Sequence, residues 1–77
     1  MKKLKEKNIP RTTLENLIEE YLYTEKEKTF FREKVFDDLT FEEIAEKHFI
    51  SVQRAKEIVY GSRDKIINAY EMRTITH

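Results

Sequence analysis

The pattern Thr-x-x-Glu occurs three times in this chain, at residues 12–15, 24–27 and 40–43. In a capping box of this kind, the Thr hydroxyl accepts a hydrogen bond from the backbone N–H of the Glu. The Glu carboxylate in turn accepts one from the backbone N–H of the Thr. Each pattern precedes apolar residues at helical spacing, so the sequence predicts three helix starts. Ser51 is a fourth candidate cap, because Ser is among the most favoured N-cap residues.

The apolar spacing predicts where these helices run. We predict helices over residues 13–23, 25–37, 41–48 and 52–70. A single Gly and a single Pro in 77 residues argue against strands and tight turns. Gly61 falls inside the fourth helix and is predicted to face solvent. The expected fold is all-α, a single four-helix domain over residues 12–71, between a basic flexible N-terminal tail at 1–11 and a frayed C-terminus at 72–77.

Composition and charge exclude several classes of protein. The chain has no Cys, which excludes disulfides and Cys-based zinc sites. Its longest apolar runs are two or three residues, whereas a membrane span needs about 20, so we expect a soluble, cytoplasmic protein. It has no Ser/His/Asp set, Gly-rich phosphate loop or His-Glu-x-x-His motif. We therefore expect no enzyme, no cofactor and no metal, and we predict that His48 is a packed residue near a turn.

The net charge of zero conceals local blocks of opposite charge. Residues 1–11 carry five basic side chains and one acidic, 37–50 carry five acidic and one basic, and 51–66 carry four basic and two acidic. The basic tail is interpreted as an unstructured terminus or as an arm that binds DNA in the minor groove. The acids Glu42, Glu43 and Glu46 are interpreted as residues favoured by the helix dipole, or as an acidic contact surface.

Residues 40–66 are typical of a helix-turn-helix: a short capped helix, a turn at 49–51 and a longer capped helix. The apolar residues fall where two such helices must cross, at Ile44, Ala45, Ile50, Ala55 and Ile58. Ala45 is predicted to lie at the closest approach, where only a small side chain fits.

Residues 24–66 resemble region 4 of bacterial sigma factors, the domain that reads the upstream promoter element. The resemblance is carried by Thr24-Glu-Lys-Glu, Phe36-Asp-Asp-Leu39, Thr40-Phe-Glu-Glu-Ile-Ala and Ile50-Ser51. This sequence departs from the family at three positions. Phe49 stands where the turn usually has Gly, Glu33 where the second helix commonly has an aliphatic residue, and Ala55 where a larger aliphatic residue is buried.

No stretch of the chain resembles the core-binding, DNA-melting region of a sigma factor. The chain therefore looks like the free-standing activators, similar to region 4, of phages and mobile elements in Gram-positive bacteria. The resemblance implies a transcriptional regulator that binds double-stranded DNA and reads the major groove with helix 52–70, with RNA polymerase as a second partner and a homodimer as one route to sufficient affinity. The target sequence and the sign of regulation are not encoded in recognisable form.

The resemblance also implies a set of DNA-binding residues at the start of the fourth helix. They are Ser51, Val52, Gln53, Arg54, Lys56, Glu57, Tyr60 and Arg63. Gln can pair with adenine and Lys with guanine, while the N–H groups after Ser51 suit a phosphate. Arg54 lies at the edge of this face, where phosphates are met. Val52 stands where the family often has Arg, so the promoter sequence of the family is not carried over.

The alternative function is a protein-interaction module that uses the same fold to bind RNA polymerase or a partner regulator. In that case Arg54, Lys56 and Arg63 form an ordinary solvated helix face. Salt dependence distinguishes the two functions, because DNA affinity falls steeply with salt when Lys and Arg contact phosphates.

Overall fold

The computed structural model describes residues 9–75 and contains four α-helices in that part of the chain. They are α1 (Arg11–Tyr21), α2 (Glu25–Val35), α3 (Phe41–His48) and α4 (Val52–Ile75). The predicted all-α fold is confirmed. Residues 1–8, 76 and 77 lie outside the described residues, and so does most of the tail at 1–11 for which a DNA-binding arm was hypothesised. Arg11, the last residue of that predicted tail, is the first residue of α1. The predicted domain limits, 12–71, stay a prediction.

Three of the four predicted caps are present. Thr40 forms the full capping box, with its hydroxyl 3.1 Å from the Glu43 nitrogen and its own nitrogen 2.9 Å from the Glu43 carboxylate. The Thr24 hydroxyl accepts from the Glu27 N–H at 3.1 Å, and the Ser51 hydroxyl accepts from the Arg54 N–H at 3.0 Å. These local hydrogen bonds fix the starts of α2, α3 and α4 at the predicted residues.

The predicted cap at Thr12 is wrong. The N-cap of α1 is Pro10, which has no side-chain cap, and Thr12 lies inside the first turn. Pro10 has φ −60° and ψ 148°, and its carbonyl accepts from the Leu14 N–H at 2.9 Å. Because the proline ring fixes φ near this value, the chain enters the helix before Thr12 can act as a cap.

Three helix ends also differ from the prediction. α1 ends at Tyr21, because Leu22 is extended with φ −99° and ψ 127°. α2 ends at Val35, two residues before the predicted end at 37. Asp38 has a φ of 57°, which is incompatible with a right-handed helix. α4 continues to Ile75 rather than ending near residue 70. Its buried residues extend through Ile67 and Ala69, which the prediction did not include.

α4 is the central element of the core, since it packs against each of the other three helices. The fully buried side chains with the largest volumes are Phe30 and Phe31 of α2. The remaining buried apolar residues are Leu14, Leu17, Ile18, Leu22, Ile44, Ala45, Ala55, Val59, Ile66, Ile67 and Ala69. Burial of Ile44, Ala45 and Ala55 is as predicted, whereas Ile50 and Ile58 are only half-buried.

The turn between α3 and α4 contains a Phe in a conformation that usually requires Gly. Phe49 has φ 57° and ψ 44°, and its side chain is 94% exposed. The left-handed conformation of a residue with a Cβ costs about 1–2 kcal/mol. It is held in place by hydrogen bonds of the turn, including Ile50 N–H to the Ala45 carbonyl at 3.0 Å. α3, this turn and α4 therefore form the predicted helix-turn-helix.

Substitution of Ala45 tests the crossing of α3 and α4. Ala45 is 4% exposed, so Ala45→Leu should force extra methylenes into the contact and lower the free energy of unfolding by about 1–3 kcal/mol. Thermal or urea denaturation would measure this loss. The matched control is Glu46→Leu at the neighbouring exposed position, which should change stability little. Equal melting of Ala45→Leu and the wild type would contradict the assigned helix crossing.

Candidate nucleic-acid interface

A strip of exposed polar side chains runs along α4. It comprises Gln53, Glu57, Tyr60 and Asp64, whose spacing of three or four residues places them on one side of a helix. Of the face predicted from the sequence, Gln53, Glu57 and Tyr60 are exposed, but Lys56 is half-buried. The N-terminus of α3 packs beside Lys56, with the Phe41 ring centroid 5.9 Å from its Nζ atom.

On the side of this strip towards α3, cations are gathered around two aromatic rings. Phe41 and Tyr60 meet edge to face with centroids 5.3 Å apart. Besides Lys56, the Phe41 ring has Lys34 Nζ at 4.8 Å, and the Tyr60 ring has the Arg63 guanidinium at 4.8 Å. Cation–π attraction of this kind contributes about 0.5–1 kcal/mol at exposed sites. The rings therefore hold three cations along one edge of the strip.

On the opposite side, towards α2, α4 presents Arg54 and Lys65. Arg54 Nη1 lies 3.3 Å from Glu57, and Lys65 Nζ lies 2.7 Å from Glu27 at the start of α2. The hydrogen bond from Lys65 is the main reason that the pKa of Glu27 lies below its ordinary value. Both edges of the strip therefore carry basic side chains, although several of them already contact acids of this chain.

The N-terminus of α4 lies at the end of the strip. Ser51 is exposed and Val52 is half-buried. The Ser51 hydroxyl accepts a hydrogen bond from the Arg54 N–H, and the Ser51 carbonyl accepts one from the Ala55 N–H at 3.1 Å. The N–H groups of Val52 and Gln53 come too early in the helix to have intrahelical partners, so these two are the donors suited to an anion there.

A buried carboxylate joins α2 to the end of α3, and the sequence did not predict this contact. Glu33 is 5% exposed; it forms an ion pair with Lys47 and lies 2.7 Å from His48 Nε2. The His48 ring also packs on Phe30, with centroids 4.3 Å apart, in agreement with its predicted packed position. One feature of the sequence could have indicated this contact: Glu33 lies three positions after Phe30, on the apolar side of α2.

The ionisation of Glu33 reflects two opposing effects. Burial raises the pKa of Glu33, but the hydrogen bonds from Lys47 and His48 outweigh it, so its pKa lies below the ordinary value. The same contact with Glu33 raises the pKa of Lys47. The charged cluster thus fastens α2 to the last turn of α3, directly before the turn that leads into α4.

The sequence matches a known protein family over most of its length. Residues 4–75 match the family UPF0122, whose description is "Putative helix-turn-helix protein, YlxM / p13 like". The chain belongs to this family. No curated protein and no solved structure matches the chain significantly. The UPF0122 description agrees with the helix-turn-helix of α3 and α4, and it names neither sigma factors nor phages.

Between residues 9 and 75, no cluster of three or more His, Cys, Asp or Glu side chains is arranged to hold a metal ion. None of the four helices is both long enough and apolar enough to cross a membrane.

Proposed function

We propose that this UPF0122 member is a DNA-binding transcriptional regulator, similar to sigma region 4, that reads the major groove with the first half of α4. One observation carries the proposal: an exposed polar strip on α4 has basic side chains along both edges. The major groove is about 12 Å wide and admits one α-helix, and a phosphate strand borders it on each side. A polar strip between two basic edges matches that arrangement.

The strip and its two edges would have different roles in DNA binding. Gln53, Glu57 and Tyr60 would face base edges, where Gln pairs well with adenine. Arg54 and Arg63 lie at opposite edges and would contact phosphates, which position the protein without reading sequence. Lys56 lies on the same edge as Arg63, one helical turn before Tyr60 of the strip, and we assign it to guanine. Ser51 and the N–H groups of Val52 and Gln53 would bind a phosphate at the start of the helix.

A second candidate function is a protein-interaction module that binds RNA polymerase or a partner regulator. The observation in its favour is Phe49, an aromatic side chain that is 94% exposed. It has a strained backbone conformation and directly follows α3, whose exposed acids include Glu42 and Glu46. Exposed aromatic residues are enriched in protein interfaces, so this end of α3 is the surface that would contact a protein.

Alanine variants at the two edges test the DNA-binding proposal. Lys56→Ala should cost about 1–3 kcal/mol of binding free energy if Lys56 pairs with guanine, and should relax sequence preference at that base. Arg54→Ala should weaken binding about equally on all sequences and lower the salt slope by roughly one. Fluorescence anisotropy on a pool of DNA duplexes, across a range of salt concentrations, would measure both effects.

Lys28→Ala is the matched control for these variants. Lys28 pairs with Glu19 of α1 at 3.3 Å and belongs to neither edge of the strip, so its removal should leave DNA binding unchanged. Absence of wild-type binding even at low salt, or wild-type affinity in both edge variants, would contradict the DNA-binding proposal. The protein-interaction module would then be the better explanation of the fold.

A further inference from the structure

The single glycine of the chain lies in the middle of α4, where the fold itself does not require it. Gly61 is exposed, and a Cβ built there would meet nothing within 4 Å among the described residues. Its φ is not positive, so any residue could adopt its backbone conformation. Glycine inside a helix is nevertheless less favourable than alanine. Without a side chain at this position, the backbone of α4 is open to close approach by another molecule.

Gly61 lines a cleft of 470 Å³ between the start of α2 and the exposed side of α4. The basic side chains that line it are Lys26, Arg54 and Lys65, and the acidic ones are Glu27 and Glu57. Each acid already contacts a cation of the same cleft, Glu57 with Arg54 and Glu27 with Lys65. Lys26 is exposed and forms no ion pair within residues 9–75, which leaves the cleft with an excess of positive charge.

We propose that this α2-side cleft seats the sugar–phosphate strand on one border of the major groove read by α4. The absence of a side chain at Gly61 allows the strand to approach the helix backbone, and Lys26 supplies an unpaired cation to its phosphates. A DNA strand fits the cleft better than an acidic or apolar protein segment does, because Glu57 belongs both to the cleft and to the base-reading strip, and Arg54 of the cleft forms the edge of that strip. The inference rests on the proposed DNA-binding function.

Gly61→Ala separates this role from a structural one, because its effects on stability and binding should have opposite signs. The melting temperature should rise by about 4–8 °C, since alanine is the better helix former. Affinity for a pool of DNA duplexes should fall about tenfold or more, because the methyl group pushes the strand away. Asn68→Ala is the matched control: it adds alanine at another exposed position of α4, outside the cleft. It should stabilise the protein without weakening DNA binding.

Lys26→Gln tests the charge of the cleft independently of its shape. It should lower the slope of log affinity against log salt by roughly one, with Lys28→Gln as control, because Lys28 does not line the cleft. If the wild type binds DNA and either Gly61→Ala or Lys26→Gln binds like the wild type, the cleft does not seat a strand and the proposed function stands. A similar loss of affinity in Asn68→Ala would also overturn the inference. If the wild type itself does not bind DNA, the proposed function fails and this inference fails with it.

Discussion

Phe31→Ala is expected to lower the free energy of unfolding by about 3–5 kcal/mol, the usual loss when a buried Phe is truncated. Phe31 has no exposed surface and is one of the two largest fully buried side chains. Small domains have total stabilities of about 5–15 kcal/mol, so this single change should remove a large part of the margin. Urea denaturation followed by circular dichroism would measure the loss.

The matched control for this prediction is the same substitution at Phe49. Phe49 is 94% exposed and contributes nothing to the core, so Phe49→Ala should change stability by no more than about 0.5 kcal/mol. Phe31→Leu keeps most of the buried volume and should give a smaller, measurable loss even if Phe31→Ala does not fold. Similar stabilities of Phe31→Ala and Phe49→Ala would contradict the packing of α2 against α4.

The parts of the fold that were predicted correctly are those that local sequence determines. α3 begins and ends at the predicted residues, 41 and 48, because the capping box at Thr40 and the turn at Phe49 each involve only a few neighbouring residues. The length of α4 was not predicted, because the helix continues to Ile75, five residues beyond the predicted end at 70. Ile67 and Ala69 are buried although the sequence pattern did not mark them, since α4 packs against all three other helices and its buried side is wider than one apolar stripe.

The candidate interface was likewise predictable only in part. The exposure of Gln53, Glu57 and Tyr60 follows from helical periodicity alone. The half-burial of Lys56 does not, because Phe41 covers it from another helix and the two meet only once α3 is docked. Glu33 is a stronger case, since its partners Lys47 and His48 are 14 and 15 residues away in sequence. No periodic pattern within one helix could reveal that contact.

Because of the contacts of Glu33 with Lys47 and His48, the free energy of unfolding should depend on pH in the acid range. Glu33→Gln preserves the shape of the side chain and removes its charge, so it should cost about 1.5–3 kcal/mol at pH 7, the magnitude of a hydrogen bond to a charged group. The Lys47 side chain is 59% exposed, so water can solvate its charge when residue 33 is neutral. We therefore expect the loss of stability not to exceed this range. The same change at exposed Glu46 is the matched control and should be nearly neutral.

The pH dependence follows from the direction of the pKa change. The pKa of Glu33 lies below its ordinary value of 4.5, with burial opposing the shift and the Lys47 and His48 hydrogen bonds producing it. A carboxylate of lowered pKa contributes its full stability above its ordinary pKa and loses it as the pH falls through the folded value. The difference between wild type and Glu33→Gln should therefore shrink as the pH falls below 4.5. Denaturation curves of both proteins across this range would measure it, and a difference that persists unchanged in strong acid would show that the charge of Glu33 does not hold α2 to α3.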